Sequence, residues 1–276
     1  MPGVAPAATE RTLLGVLGWP VAHSRSPAMQ EAALRAAGLP GWRYLRLPVP
    51  PALLAETVAA LGPAGFVGAN ATIPHKQAAL EAADEASPLA RRIGAANTLS
   101  FTPEGAVRAD NTDAPGLIAA LPASHAPAGR TALVLGAGGS ARAAVCALLD
   151  AGAADVMVWN RTAARAQALC EALGGRPVLV PEPAELIVNC TSIGLDGDGR
   201  TFKALPVEAD SWDAGTCVVD LVYRDGGTAL LAAARARDAT VVDGLEVLVA
   251  QGAESFERWT GQRAPRDTMR EAVTSD

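Results

Sequence analysis

Lysine is almost missing from this chain. Of its 276 residues, 23 are basic, and only Lys76 and Lys203 are lysine; the other 21 are arginine. Sixty alanines accompany them. This is the composition of a GC-rich genome, so arginine and alanine as classes carry little functional information. No run of about 18 apolar residues occurs, which argues against a membrane-spanning helix. Met1–Glu10 has no basic residue followed by an apolar block, so it reads as a frayed tail rather than a secretory signal. The four cysteines, Cys146, Cys170, Cys190 and Cys217, lie 20 or more residues apart. That spacing fits neither a zinc site nor a small disulfide framework. Reduced thiols and a cytoplasmic location are expected. Surplus positive charge is absent too. The net charge of −6 argues against nucleic acid or an anionic membrane as partner.

Half of the residues are hydrophobic, too many for disorder. The length suits one large domain or two modest ones. In the first half, strand-like and helix-like segments alternate. Strands are expected at Thr12–Gly18, Trp42–Val49, Phe66–Thr72 and Ala96–Phe101. Helices are expected at Pro27–Ala37, from Pro50–Pro51 to Leu61, and at His75–Ala83. This rhythm predicts a mostly parallel sheet. After Asn111–Asp113 come a helix over Pro115–Leu121, a loop over Pro122–Gly129 and a buried strand at Thr131–Leu135. Then follow a helix to Leu149, a strand at Asp155–Trp159, a helix at Ala163–Leu173 and buried strands at Leu186–Asn189 and Cys217–Leu221. Asp196–Gly199 is a loop signal, Lys203 falls in the loop after it, and a last long helix spans Leu245–Trp259.

Gly136-Ala137-Gly138-Gly139-Ser140-Ala141 follows a strand and opens a helix. That is the context a dinucleotide fingerprint requires. Gly136 makes the tight turn, Gly138 lets the backbone approach a pyrophosphate, and small Ala141 lets helix pack on strand. The helix N-terminus adds N–H groups and a positive dipole end. The alternative is a Gly-rich turn in an Ala- and Gly-rich chain; the flanking strand and helix favour the first reading. An NAD site carries Asp or Glu at the end of the second strand. Here Asn160-Arg161-Thr162 stands in that place. Arg161, with Arg165 one turn later, suits a 2′-phosphate bidentately, and Thr162 is a good N-cap within reach of it. NADP is therefore favoured over NAD, the alternative being solvated arginines.

Further polar clusters sit at strand ends. Ser24-Arg25-Ser26-Pro27 precedes a helix, with hydroxyls suited to a carboxylate or to plain N-capping. Gly68-Ala69-Asn70-Ala71-Thr72-Ile73-Pro74-His75-Lys76 leaves a strand for a helix. Gly94-Ala95-Ala96-Asn97-Thr98 and Asp110-Asn111-Thr112-Asp113 follow. Taken in order with the glycine loop, Asn160–Thr162 and the Gln251 segment, these motifs resemble the shikimate dehydrogenase family from about Leu13 to Gly261.

That resemblance implies an α/β fold. A substrate-binding domain with a mixed, mostly parallel sheet (1–112, completed by 245–276) would join a Rossmann NADP-binding domain (113–244), the C-terminal helix returning to the first. It implies reversible, NADPH-dependent reduction of 3-dehydroshikimate to shikimate, in aromatic amino acid biosynthesis. Lys76 and Asp113 match the catalytic pair, and Ser24 and Ser26 the carboxylate binders. Asn70, Thr72, Asn97, Asp113 and Gln251 match residues around the ring hydroxyls, and Tyr223 a tyrosine near the carboxylate and nicotinamide. Cofactor contacts are expected from Gly136, Gly138, Gly139, Ser140, Ala141, Asn160, Arg161, Thr162, Arg165, Thr191 and Gly244. No metal is implied, and the chain would be a monomer or homodimer.

The residue types suit the chemistry. Hydride addition to a ketone leaves an oxygen that needs a proton, which Lys76 can give and take back. Arginine stabilises charge but does not release a proton at working pH. The chain departs from the family pattern at Gln30-Glu31, at Arg224–Thr228 and at Leu245-Glu246. A quinate/shikimate or aminoshikimate dehydrogenase therefore stays open beside the leading reading, as does a non-catalytic ligand sensor.

Overall fold

A computed structural model describes residues 12–195, 197 and 201–274. The expected Met1–Glu10 tail, and Asp196, Asp198 and Gly199 of the expected turn, lie outside the described residues. The first part of the chain runs β1 (Thr12–Gly18), α1 (Ser26–Ala36), β2 (Trp42–Pro48), α2 (Leu54–Leu61), β3 (Phe66–Ala71), α3 (Lys76–Glu81) and β4 (Glu85–Ala86). It continues with α4 (Pro88–Ile93), β5 (Thr98–Phe101), β6 (Val107–Asp110) and α5 (Asp113–Ala120). The second part runs β7 (Thr131–Leu135), α6 (Gly139–Asp150), β8 (Asp155–Trp159), α7 (Ala163–Leu173), β9 (Arg176–Pro177) and β10 (Leu186–Asn189). After it come α8 (Thr201–Ala204), β11 (Cys217–Asp220), α9 (Ala229–Arg235), β12 (Thr240–Asp243), α10 (Gly244–Thr260) and α11 (Arg266–Thr274).

The strands form two six-stranded sheets. The first has the order β2-β1-β3-β5-β6-β4. Its β1–β2, β1–β3 and β4–β6 pairs are parallel, and β3–β5 and β5–β6 antiparallel. The second has the order β12-β11-β10-β7-β8-β9 and is parallel throughout. Renumbered from β7, that order is 3-2-1-4-5-6, the doubly wound dinucleotide topology. Central strands such as β7 are apolar on both faces because helices cover both. Ala132 and Val134 face α6 and α7, whereas Leu133 and Leu135 face α9.

Helix α10 links the halves. Asp243 caps it, accepting from the Leu245 N–H at 2.9 Å, and Gly261 ends it in the left-handed region. Val247 near its start joins the core under the second sheet. Further along, Val249, Ala253 and Phe256 pack with Leu14, Val16 and Tyr44 on the first.

Several elements were not anticipated, among them β6, α4, α9, β12 and α11. Helix α4 carries readable end signals: Ser87 accepts from the Ala90 N–H, Pro88 opens the helix and left-handed Gly94 closes it. Lys203, expected in a loop, sits exposed in the four-residue α8. Among the described residues, no helix is long and apolar enough to cross a membrane.

Candidate active site

The carboxyl ends of β1, β3, β10 and β11 open onto a cleft between the sheets, the place where open α/β sheets bind ligands. Lys76, at the start of α3, stands in it. Its Nζ donates to Asp113 Oδ2 at 2.6 Å and to Ser140 Oγ at 2.9 Å. Both side chains of the Lys76–Asp113 pair are mostly buried, at 13% and 16% exposure. Three elements thus meet at one ammonium: α3 carries the lysine, α5 opens with Asp113, and α6 carries Ser140. Asn97 ties Asp113 in place, donating from Nδ2 to Asp113 Oδ1 at 2.9 Å and to Gln251 Oε1 at 3.1 Å.

Behind these residues lies a buried polar network. Asn97 Oδ1 accepts from the Thr112 N–H at 2.7 Å. Ser255, one turn after Gln251 on α10, reaches Thr98 at 2.8 Å and accepts from Asn70 Nδ2 at 3.0 Å. Asn70 Oδ1 accepts from the Tyr44 hydroxyl at 2.7 Å. Buried amides and hydroxyls must be satisfied this way, and a satisfied network fixes its members in one arrangement. The remaining wall of the cleft carries Thr72, Val222, Val247 and Leu248.

At the other end of the cleft, Ser24 and Ser26 are buried beside Tyr223. The Ser24 hydroxyl lies beside the Tyr223 phenol, and Ser26 beside that of Tyr44. Burial raises both phenols above their ordinary value, so each remains a neutral hydroxyl at working pH. Arg46 fixes the loop, its Nη2 donating to the Ser24 carbonyl at 2.8 Å. Arg25 reaches across to Asp225. A cluster of neutral hydroxyls flanked by guanidinium groups suits a carboxylate.

A second cleft adjoins the first and shares Lys76, Ile73, Ser140, Cys190, Thr191 and Ser192 with it. Gly136, Gly138, Gly139, Asn160, Arg161, Thr162 and Arg165 line the second cleft alone. Gly136 has φ +115°, in the region that favours glycine. Ala141 is fully buried against the sheet. A Cβ added at Gly138 would meet no protein atom, so that backbone faces open space. The first-turn N–H groups of α6 have no partners in their own helix. Asn160 Nδ2 donates to the Thr162 carbonyl at 2.9 Å and shapes the turn after β8. Thr162 precedes α7 without a side-chain capping bond. Arg161 and Arg165 are exposed, and neither has an ion-pair partner among the described residues. Open backbone, free helix N–H groups and two unpaired guanidinium groups fit a dinucleotide with an extra phosphate.

Of the other expected cofactor residues, Thr191 lines both clefts and Gly244 the first. Gly244 lies there against the backbone of Asp220 and Leu221, away from the glycine loop. The Thr191 hydroxyl is engaged locally, donating to Asn189 Oδ1 at 2.7 Å and accepting from the Ile193 N–H.

Sequence reading missed Tyr44, Ser255 and Asp220. Ser255 had a signal, since it continues the polar face of Gln251. Asp220, at the end of β11, is 1% exposed. It accepts from Asn189 Nδ2 at 2.8 Å, the Val222 N–H at 3.0 Å and the Thr228 hydroxyl at 2.7 Å. Burial outweighs these donors and pushes its carboxyl up to about 6. Asp220 thereby anchors the loop that carries Tyr223. Cys190 touches both clefts, but burial pushes its thiol up, which makes it a poor nucleophile.

The departures from the family pattern fall outside the cleft. Gln30 donates to the Gly252 carbonyl, Glu31 accepts from the Tyr44 N–H, and Glu246 pairs with Arg270. None of these, nor Arg224, lines it.

Comparison with known proteins gives a consistent picture. Residues 16–99 match the family described as shikimate dehydrogenase substrate binding domain. Residues 121–190 match shikimate/quinate 5-dehydrogenase, and 244–274 the shikimate 5′-dehydrogenase C-terminal domain. Shikimate dehydrogenase (NADP(+)) of Methylobacterium radiotolerans is 46% identical, over 95% of this chain and 96% of that one. The Paracoccus denitrificans protein of the same name is 44% identical, over 97% and 98%. The crystal structure of Thermus thermophilus shikimate 5-dehydrogenase in complex with NADP(H) and shikimate superposes with a TM-score of 0.84. It is 42% identical, covering 95% of this chain and 98% of the Thermus chain.

Proposed function

The chain belongs to the shikimate dehydrogenase family, and from that premise we propose that it interconverts 3-dehydroshikimate and shikimate with NADP(H), Lys76 serving as the acid/base. The observation that carries the reading is the Lys76–Asp113 pair at the junction of the two clefts. NADPH held in the second cleft supplies the hydride that adds to the ketone carbon. Arg161 and Arg165 hold its 2′-phosphate, and the α6 N-terminus its pyrophosphate. Ser24, Ser26 and Tyr223 take the substrate carboxylate. Asn70, Thr72, Asn97 and Gln251 meet the ring hydroxyls with paired donors and acceptors.

Lys76 donates one ammonium proton to the oxygen as charge develops on it, and recovers a proton from solvent. In the reverse direction neutral Lys76 takes the hydroxyl proton. Asp113 holds the ammonium and accepts from a neighbouring ring hydroxyl. Residues 1–112 with 245–276 form the substrate-binding part and 113–244 the cofactor part, a division supported by the two separate sheets.

The test is reduction of NADP⁺ and NAD⁺ by the purified chain with shikimate, quinate or aminoshikimate. Fastest turnover with shikimate and NADP⁺ is expected. Equal or better turnover of quinate or aminoshikimate would overturn the substrate assignment. Binding without any turnover would indicate a ligand sensor.

A further inference from the structure

The glycine loop does something beyond cradling phosphates. Its Ser140 accepts a hydrogen bond from Lys76 Nζ at 2.9 Å, from a residue 64 positions earlier in the other half of the molecule. The contact is built in rather than incidental. A Cβ added at Gly139 would lie 2.7 Å from Lys76 Cβ and 3.2 Å from its Cδ. Only a residue without a side chain at 139 lets the loop lie directly on the lysine stem and bring Ser140 to the ammonium. At Gly138, one residue earlier, the protein's own atoms impose no such demand.

We infer that Ser140 is a positioning residue for the acid/base lysine, so that the cofactor loop itself orients the group that moves the proton. The inference rests on the assignment of Lys76 above. An ammonium has three N–H donors. Asp113 takes one and Ser140 another, which leaves one for the substrate oxygen. Two anchors from different elements set the direction of the third. Asp113 alone would leave the ammonium free to swing about a single bond. A hydroxyl suits the second anchor better than another carboxylate, because it fixes geometry without adding negative charge where an oxyanion forms. Ser140 lines both clefts, so the residue that aims the proton donor also borders the cofactor site.

The experiment compares Ser140→Ala, Ser140→Thr and Lys76→Ala in the full chain, assaying shikimate oxidation across pH and NADP⁺ binding by fluorescence titration. Losing one charge-assisted hydrogen bond predicts a kcat about tenfold lower for Ser140→Ala at saturating NADP⁺, whatever change in NADP⁺ affinity accompanies it. Removing an acceptor from the ammonium favours the neutral amine, the form that acts in oxidation. The rising limb of the kcat–pH profile therefore moves to lower pH. Ser140→Thr, which keeps the hydroxyl, restores both kcat and the limb. An unchanged kcat and pH limb in Ser140→Ala would overturn the inference, and so would a loss confined to NADP⁺ affinity. Lys76→Ala separates the levels. If it is inactive while Ser140→Ala is unchanged, only the role of Ser140 fails; if it turns over normally, the assignment of Lys76 fails first.

Discussion

Replacing Asp220 with asparagine should make the stability of the protein depend differently on pH. Asp220 has a folded value of about 6 against 3.8 for an ordinary aspartate. The gap corresponds to about 3 kcal/mol disfavouring the ionised form in the folded state. Because the folded value lies above the unfolded one, the protonated carboxyl favours the fold fully below about pH 4. That contribution is lost as pH rises through about 6. Between pH 5 and 8 the wild type should lose roughly 1–2 kcal/mol through this group, while Asp220→Asn loses none of it. The amide also brings a constant penalty. Its NH₂ would face the Thr228 hydroxyl, which now donates to Asp220 and already accepts from the Leu231 N–H. That offset is the same at every pH, so the slope is the readout and the sign at one pH is not. The assay is urea denaturation of both proteins at pH 5, 6, 7 and 8 and fixed ionic strength. A stability difference that stays constant across this range would refute the reasoning.

Other outcomes test the remaining assignments. Lys76→Arg keeps a cation beside Asp113 but cannot release a proton; kcat should fall by roughly 10²–10⁴ with NADP⁺ binding intact, as steady-state kinetics and titration would show. Arg161→Ala should weaken NADP⁺ far more than NAD⁺, and equal weakening of both would remove the 2′-phosphate argument. Gly139→Ala forces a Cβ to within 2.7 Å of Lys76 Cβ; displacement of the lysine should lower kcat by up to about 10²-fold while circular dichroism stays unchanged. His75 is buried and its Nε2–H donates to the Val49 carbonyl at 2.8 Å. Burial lowers its value from 6.5, so its contribution is present above about pH 6.5 and fades as pH falls through the lower folded value. His75→Gln should flatten that acid-side loss in the same urea series.

Much of the second half was legible because its signals are local. A buried strand, a glycine turn and an amphipathic helix each declare themselves within a dozen residues, and β8, α7 and β10 fall on the expected bounds. The first half was harder to read. Its antiparallel β6 is a four-residue strand, too short for alternation to show. Helix α11 is mostly polar, and only Met269 and Val273 are buried, so it offers little apolar period. The site motifs were visible because each packs several polar residues into a strand end, where a plain core would be apolar.

Contacts across the chain are the part that periodicity cannot supply. Lys76 and Ser140 are 64 residues apart, Asn97 and Gln251 154, and Asn70 and Ser255 185. A pattern within one helix reports which face is buried, not what lies opposite. Ser140 reads as a phosphate-loop residue in sequence for that reason, and only the packing of α6 on α3 brings it to the lysine. The same logic explains why the rare lysine is informative here. In a chain that otherwise uses arginine for positive charge, solvent-facing Lys203 has no chemical need to be lysine. At Lys76, the two halves converge on a group that must both carry a charge and give up a proton, and arginine meets only the first requirement.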